Sequence, residues 1–309
     1  MSKLVYLDDA ERRPDSVVTV GTFDGVHEGH KYLINKVVEK ARKHEGRSVV
    51  VSFDPHPREI LSSGEDKIRL LTTLEERSEI LGELGIDELI IIPFDRDFSL
   101  LTAEEFIRDI IFKKIGVSEF VIGYDHQFGR NREGTIETVQ NLAREHGFEV
   151  HICEAHEVDK ITVSSTTVRK ALADEGDVQI ARNFLGRPYK LEGYVTHGDK
   201  RGKQLGFPTA NIRPVSSRKI IPYRGVYAVD VEIDGESWRA MMNIGYRPTF
   251  DEEHRQTLEI HIFDFDQQIY GRGVTVYFLE RVRDEQKFKS KDELIAQLEK
   301  DKNHCLQAK

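Results

Sequence analysis

Two histidines three residues apart follow the first strongly apolar run of the chain. His27 and His30 lie in "GTFDGVHEGH" at 21–30, directly after "SVVTV". Residues three apart share one side of a helix, and a helix N-terminus offers unpaired N–H groups to phosphate. Imidazoles placed there can donate hydrogen bonds to phosphoryl oxygens as charge develops during a transfer reaction. The stretch therefore predicts a phosphate-binding strand–loop–helix turn, with Gly21 and Gly25 permitting close backbone approach.

A cluster of hydroxyls followed by an arginine forms a second candidate. In "TVSSTTVRKAL" at 162–172, Arg169 comes three residues after Thr166. Hydroxyls beside a fixed guanidinium would bind phosphate oxygens. The same hydroxyls could instead be ordinary helix N-caps, and the sequence leaves both roles open.

A third candidate is the glycine-rich basic stretch "HGDKRGKQLGFPTANI" at 197–212. It is not a Walker A loop, because its glycines are one residue too close and Gln204 replaces the Mg²⁺-binding hydroxyl. Its N–H groups and cations could still wrap phosphates. Thr209 and Asn211 would point the same way in extended backbone, and their oxygens suit Mg²⁺. An Asx turn is the alternative for these two residues.

A single carboxylate interrupts an apolar strand pattern in "TLEIH". Glu259 alternates with apolar residues, which is unusual unless the carboxylate faces a site. A carboxylate there could serve as a general base. It could also simply form an ion pair with Arg255 or Lys203.

The first half of the chain alternates short, nearly all-apolar runs with helical stretches. Such runs fit strands buried on both faces, and the alternation predicts a doubly wound α/β domain with ligands at the carboxyl ends of its strands. "TAEEF" at 102–106 predicts a capping box. The predicted strands are 17–23, 48–53, 88–93, 119–123 and 149–153, and the predicted helices are 30–44, 75–84, 103–114 and 135–146.

The pattern changes near residue 185. Short strand-like segments separated by turn signals predict a small antiparallel barrel or sandwich. A chain of 309 residues is long for one core, so we expect two domains, 1–184 and 185–309. The predicted strands are 192–197, 226–233, 238–244, 257–263 and 273–280, and the one strongly helical stretch is 290–300.

Composition excludes several classes of function. Lys and Arg total 45 against 54 Asp and Glu, a formal charge of −9, which disfavours binding to nucleic acid or anionic membranes. The apolar runs are too short to cross a bilayer, and the N-terminus lacks an apolar signal core. Two distant cysteines, Cys153 and Cys305, indicate a reducing compartment. We therefore expect a cytoplasmic protein.

Several motifs together resemble a known family. "GTFDGVHEGH" and "SSTTVR" are similar to the HxGH and SSTxxR signatures of nucleotidylyltransferases. "FDPHP", "LTTLEER" and "GYDHQFG" resemble the adenylyltransferase half of the prokaryotic bifunctional riboflavin kinase/FMN adenylyltransferases, although many members have an aromatic residue at the position of His126. "PTAN", "NIGYRPTF", "TLEIHIFDFDQQIYG" and "RVRDEQKF" resemble the riboflavin kinase half in the same order.

The resemblance implies a Rossmann-like α/β nucleotidylyltransferase domain followed by a six-stranded, Greek-key-like barrel with a C-terminal helix. It implies that the barrel phosphorylates riboflavin to FMN, and that the first domain adenylylates FMN to FAD and releases pyrophosphate. ATP is the co-substrate of both steps and Mg²⁺ the metal. The expected partners are flavins and ATP, without nucleic acid or membrane, in a monomer or weak homo-oligomer.

The resemblance also implies roles for individual residues. His27 and His30 would contact ATP phosphates, while Ser165, Thr166 and Arg169 would hold the departing pyrophosphate. Other ATP-binding residues of the adenylyltransferase would be Gly21, Phe23, Asp24, Gly29 and Ser164. In the kinase, Glu259 would be the base, Thr209 and Asn211 would bind the metal, and Gly198, Lys203, Gly206 and Pro208 would bind ATP. Flavin contacts would come from Pro55, His56, Asp125, Phe128 and Arg283.

Two rival hypotheses remain. In one, only the adenylyltransferase is active and the barrel is a regulatory module, against which the intact Thr209, Asn211 and Glu259 argue. In the other, the protein is a flavin carrier without turnover, which would not need two triphosphate-binding loops.

Overall fold

The chain forms two compact units, Met1–Ser164 and Ser165–Lys309. A computed structural model describes residues 1–62, 68–124, 128–130, 133–154, 157–158, 161–197, 205–247 and 255–309. The expected domain boundary between residues 184 and 185 stays a prediction.

The first unit is built on a six-stranded sheet in the order β1-β4-β3-β2-β5-β6, with every neighbouring pair parallel. The predicted doubly wound α/β architecture is confirmed. Of the six strands in this sheet, only the edge strand β1 was not predicted. The strands are β1 Lys3–Tyr6, β2 Ser16–Val20, β3 Arg47–Asp54, β4 Glu88–Pro93, β5 Val117–Gly123 and β6 Glu149–Cys153.

Apolar clusters cover both faces of this sheet. Val18 and Ile90 belong to one cluster, while Val17 and Ile91 belong to the other. Successive residues of one strand therefore serve opposite faces. This explains why the strands read as continuous apolar runs rather than as alternating patterns.

Helices and short turns connect the strands. The predicted capping box is confirmed, since Thr102 Oγ1 accepts a hydrogen bond from Glu105 N and Glu105 Oε2 accepts one from Thr102 N. A small hairpin, β7 Glu157–Val158 and β8 Ile161–Thr162, ends the unit. The helices are α1 Glu28–Lys43, α2 Pro57–Leu61, α3 Leu74–Glu83, α4 Ala103–Glu105 continuing as a π-helical segment Phe106–Ile115, and α5 Ile136–His146.

Strand β2 lies between β3 and β5, the point at which the connections change direction across the sheet. Ligands of open α/β sheets bind beyond the carboxyl ends of the strands at such a point. The strand ends at Val20, three residues earlier than predicted, because the chain turns away at Gly21. The loop that carries His27 therefore occupies the expected place for a ligand.

The second unit begins with helices and continues into a closed barrel in the order β10-β13-β12-β11-β14-β9. Every strand pair of the barrel is antiparallel. The predicted six-stranded barrel with a C-terminal helix is confirmed, although β10 was not among the predicted strands. The elements are α6 Ser165–Lys170, a π-helical turn Ala171–Glu175, α7 Val178–Leu185, β9 Tyr189–Thr196, β10 Ala210–Pro214, β11 Gly225–Ile233, β12 Glu236–Arg247, β13 Arg255–Ile262, β14 Gly273–Arg283 and α8 Lys291–Gln307.

Helix α8 is fastened to the outer surface of the barrel. Its buried Cys305 packs with Met241 of β12 and with Phe207 and Phe263. Arg239 Nη1 donates to the carbonyl oxygen of Cys305 at 2.7 Å, which satisfies an acceptor at the helix C-terminus. One face of the barrel is thus covered, while its interior is filled by a separate set of side chains.

Candidate active sites

The loop between β2 and α1 adopts an unusual backbone conformation. Phe23, Gly25 and Val26 have φ values of 45°, 86° and 41°, and positive φ is uncommon for a residue with a side chain. His27 then acts as the N-cap of α1, and its Nδ1 accepts a hydrogen bond from the His30 N–H at 3.3 Å. An imidazole nitrogen that accepts carries no proton, so the neutral His27 ring carries its proton on Nε2.

The two histidines stack on each other. Their ring centroids are 3.6 Å apart at an interplanar angle of 19°, and Phe23 meets the His30 ring edge-on at 5.0 Å. The prediction that both rings lie on one side of the helix start is confirmed. His27 is only 5% exposed, so its environment strengthens any hydrogen bond that it donates to a charged oxygen.

Asp24 anchors this loop through a buried hydrogen-bond network. Its carboxylate is fully buried and accepts hydrogen bonds from Leu71 N at 3.0 Å, from Thr72 N at 2.9 Å and from the Thr72 hydroxyl at 3.1 Å. Arg77 lies 3.7 Å away as its counter-charge, and the Thr72 hydroxyl accepts from Gly25 N. These contacts anchor the loop to the "LTTLEER" segment. ATP contact by Asp24 stays a prediction.

Arg77 extends this network to the neighbouring strand. Its Nη1 donates to the Ser52 hydroxyl at 2.9 Å, and Ser52 donates in turn to the carbonyl oxygen of Thr22 at 3.1 Å. The loop is therefore held both from α3 and from β3. Sequence reasoning did not single out Thr72, Arg77 or Ser52.

The segment leading into "SSTTVR" runs beside the first turn of α1. A Cβ added at Gly29 would lie 3.7 Å from the carbonyl oxygen of Val163 and 3.3 Å from the His27 ring. Gly29 therefore lies next to both the His27 ring and the segment that leads into the hydroxyl cluster. Ser164 closes the first unit, while Ser165, Thr166 and Arg169 lie on α6 at the start of the second unit.

His56 has a clear local role. It is the N-cap of α2, with Nδ1 accepting from Arg58 N at 3.1 Å, while Glu59 accepts from the His56 N–H. Pro55 follows Asp54 through a cis peptide bond. Phe128 packs against the core cluster on one face of the sheet. Flavin contacts by Pro55, His56 and Phe128 stay predictions.

In the barrel, Asn211 of β10, Glu259 of β13 and Asn243 of β12 form one row across three strands. Asn211 pairs directly with Glu259, and Glu259 pairs directly with Asn243. Directly opposed residues project to the same face with Cβ atoms about 4.5–5.5 Å apart. The sequence did not single out Asn243, although it lies in the quoted motif "NIGYRPTF".

This polar row faces outward. Leu258 and Ile260 flank Glu259 and are almost fully buried, so alternation along β13 places Glu259 and His261 on the opposite, outer face. The predicted apolar alternation around Glu259 is confirmed. His261 pairs with Met241, a member of the cluster beneath α8.

The remaining predicted site residues lie outside this polar row. Arg283 forms a two-oxygen ion pair with Asp301 of α8, at 3.0 Å from Nε and 2.7 Å from Nη2, which gives it a structural role. Its flavin contact stays a prediction. Gly206 and Pro208 precede β10, and both are exposed. Asp125, Gly198 and Lys203 lie outside the described residues.

Comparisons with known proteins decide the assignment. A model of the FAD synthetase family matches residues 9–167, and a model of the riboflavin kinase family matches residues 185–308. The bifunctional riboflavin kinase/FMN adenylyltransferase of Escherichia coli (strain K12) is 40% identical over 286 residues, covering 92% of this chain and 90% of the relative. This chain belongs to the bifunctional riboflavin kinase/FMN adenylyltransferase family.

Two further comparisons agree with this assignment. The Bacillus subtilis (strain 168) riboflavin kinase/FMN adenylyltransferase is 36% identical, covering 96% of this chain and 93% of the relative. A Streptococcus pneumoniae crystal structure, described as a macrolide-efflux protein, aligns with a TM-score of 0.91 and 37% identity over 98% of this chain and 99% of its own. The family resemblance inferred from the motifs is confirmed, and with it the predicted pairing of two flavin activities in one chain.

Within the described ranges, no helix has both the length and the apolar character needed to cross a membrane.

One further group of metal-binding residue types lies at the amino ends of β5 and β6. Glu119, Glu149 and His151 bring their ligand atoms within 4.8 Å of one another. However, the Lys40 ammonium is 3.0 Å from Glu119 Oε2. Burial would raise the pKa of Glu119, but Lys40 and His151 outweigh it and lower that pKa overall. The group is an ion-pair network whose cation is already present.

Proposed function

We propose that the outer face of the barrel phosphorylates riboflavin, with Glu259 as the general base. Glu259 accepts the proton of the ribityl 5′-hydroxyl, whose oxygen bonds to the γ-phosphorus of ATP while the bond to the β-phosphate oxygen breaks and ADP leaves. The direct pairing of Asn211 with Glu259 carries this proposal. It aligns a candidate metal ligand and a candidate base on one face of adjacent strands.

Thr209 and Asn211 fit the Mg²⁺ that this reaction needs. Both are half-buried and offer neutral, hard oxygen atoms to a cation that prefers such ligands. Mg²⁺, when bound, neutralises charge on the triphosphate oxygens. Asn243, on the far side of Glu259, would orient the carboxylate toward the substrate hydroxyl.

We propose that the first unit's loop serves the adenylylation of FMN. A phosphate oxygen of FMN bonds to the α-phosphorus of ATP, the bond to the β-phosphate oxygen breaks, and pyrophosphate leaves. The Nε2–H of His27 would donate to a phosphoryl oxygen with His30 beside it, and Gly21, Phe23 and Gly29 would shape the ATP-binding loop. Such donors, fixed before the reaction, stabilise charge as it develops.

Ser164, Ser165, Thr166 and Arg169 would hold the departing pyrophosphate. Within the first unit, the approach of Val163 to Gly29 supports the role of Ser164, which follows Val163 directly. We also propose that the kinase contacts its ATP through Gly198, Lys203, Gly206 and Pro208. The proposed flavin contacts are Pro55, His56, Asp125 and Phe128 in the adenylyltransferase and Arg283 in the kinase.

ATP and flavins are thus the proposed small-molecule partners of a monomer or weak homo-oligomer. A cytoplasmic location is supported by Cys153 and Cys305, which are both free thiols.

One pair of variants tests both assignments in the same polypeptide. Glu259→Gln keeps the side-chain shape but removes the base, and we expect riboflavin phosphorylation to fall by about 10²–10⁴ while FMN adenylylation continues. His27→Asn keeps a good N-cap but removes the ring, and we expect adenylylation to fall by about 10² while the kinase continues. The flavins are separated by chromatography after incubation with ATP and Mg²⁺.

Glu232→Gln is the matched control, since Glu232 is an exposed carboxylate on β11; it should leave both reactions unchanged. Wild-type kinase rates in Glu259→Gln would disprove the assignment of the base. A barrel that never phosphorylates riboflavin would favour the regulatory-module hypothesis, and unchanged flavins in both assays would favour the carrier.

A further inference from the structure

A buried histidine holds the segment that carries the two candidate metal ligands. The ring nitrogen Nδ1 of His261 lies 2.7 Å from the carbonyl oxygen of Pro208. A carbonyl oxygen only accepts, so Nδ1 must be the protonated nitrogen of this ring. The bond therefore fixes both the tautomer of His261 and the position of the Pro208 carbonyl.

The ring itself has little freedom to move. His261 is 8% exposed, and Phe207 and Phe263 meet it edge-on, with centroids 5.2 and 5.5 Å away. Burial lowers the pKa of His261, and the nearby Lys302 lowers it further, against the opposing effects of the Pro208 carbonyl, Asp264 and Glu299. The neutral ring is the form that this environment favours.

The backbone explains why such a bond is needed here. Pairing of β10 with β13 covers Ala210 and Asn211, so Thr209 and Pro208 lie before the start of the strand. Proline has no N–H and cannot extend the ladder with a donated hydrogen bond. The side chain of His261 supplies a hydrogen bond at the point where the ladder stops, one residue before Thr209.

We infer that His261 is a positioning residue of the kinase site, which sets the place of Thr209 through the Pro208 carbonyl. The inference rests on the proposed role of Thr209 and Asn211 in holding Mg²⁺ and ATP. His261 and Glu259 are two apart on β13 and share its outer face, so one strand carries both the candidate base and this tether. Loss of the tether would chiefly weaken use of Mg·ATP, leaving the base in place.

Two substitutions separate the hydrogen bond from the packing. His261→Phe keeps an aromatic ring between Phe207 and Phe263 but has no donor. His261→Asn loses the ring, but its amide nitrogen can take about the position of Nδ1. If the tether matters, His261→Phe loses at least about tenfold in kinase kcat/KM for Mg·ATP, mostly through KM, and His261→Asn retains more activity than His261→Phe.

FMN adenylylation by the same chain reports on its integrity and should be unchanged in both variants. The opposite order, with His261→Phe near wild type and His261→Asn impaired, would show that His261 only packs and would overturn the inference. Thr209→Ala is assayed beside them. An unimpaired Thr209→Ala would contradict the proposed metal site itself, whereas an impaired Thr209→Ala with an unimpaired His261→Phe would contradict the tether alone.

Discussion

Replacing the buried Asp24 by asparagine should destabilise the first unit strongly. The carboxylate accepts three hydrogen bonds from Leu71 and Thr72 and faces Arg77 at 3.7 Å. An asparagine amide would offer one acceptor oxygen and turn an NH₂ group toward either the Leu71 N–H or the Arg77 guanidinium. Arg77 is itself buried, so it would be left without its Asp24 counter-charge.

The size of the effect follows from this burial. Breaking a buried ion pair by removing one partner costs about 3–5 kcal/mol. With a urea dependence of about 2 kcal/mol per molar, the midpoint of unfolding should fall by about 1.5–2.5 M. FMN adenylylation should fall with it, because the loop that carries His27 loses its anchor.

The assay can distinguish the two units. The chain has one tryptophan, Trp238, which lies on β12 of the barrel. Tryptophan fluorescence therefore follows the barrel, while far-UV circular dichroism also follows the helices of the first unit. In Asp24→Asn we expect the dichroism transition to move to lower urea and riboflavin phosphorylation under native conditions to persist.

Asp15→Asn is the matched control, because Asp15 pairs with Arg13 at 2.8 Å on the surface with its side chain 41% exposed. It should cost less than about 1 kcal/mol. The reasoning would be refuted if Asp24→Asn shifted the dichroism midpoint no further than Asp15→Asn does.

Three further predictions concern other parts of the chain. Burial opposes a low pKa for Glu119, but Lys40 helps to lower that pKa below 4.5. The stability that Glu119 contributes is therefore present above pH 4.5 and is lost as the pH falls below this value. The urea midpoints of Glu119→Gln and wild type should converge as the solution is acidified. Burial raises the pKa of Cys305 to about 12, so it should resist thiol reagents at neutral pH until urea unfolds the barrel. Asp301→Asn leaves Arg283 without its ion pair and should lower the fluorescence-detected stability by about 2–3 kcal/mol.

Much of the architecture could be predicted because its signals are local. The buried strands of the parallel sheet are continuous apolar runs, and four of the five predicted there agree with the structure to within about two residues, an ordinary uncertainty for element ends. The location of His27 and His30 on one side of a helix start follows from their spacing. The outward position of Glu259 follows from alternation along one strand.

The missed features depend on contacts between distant segments. Asp24 binds Leu71 and Thr72, 47 and 48 residues further on, and no local pattern pairs a loop carboxylate with a particular backbone N–H. The tether from His261 to Pro208 spans 53 residues. The row containing Asn243 becomes visible only once strand register is known, since register decides which polar residues become neighbours.

Because the polar row lies on the outer face of the barrel, residues along β13 must alternate strictly between the outer face and the interior. Its odd-numbered positions 259 and 261 lie on the outer face, where neighbouring side chains bury His261, and its even-numbered positions 258 and 260 fill the interior. Inserting or deleting one residue in this strand would exchange the two sets, which would bury a carboxylate in the apolar interior and turn Leu258 and Ile260 to the outer face. Evolution can therefore change the side chains of this strand one at a time, but it cannot change the strand's length by one without losing the chemistry and the core together.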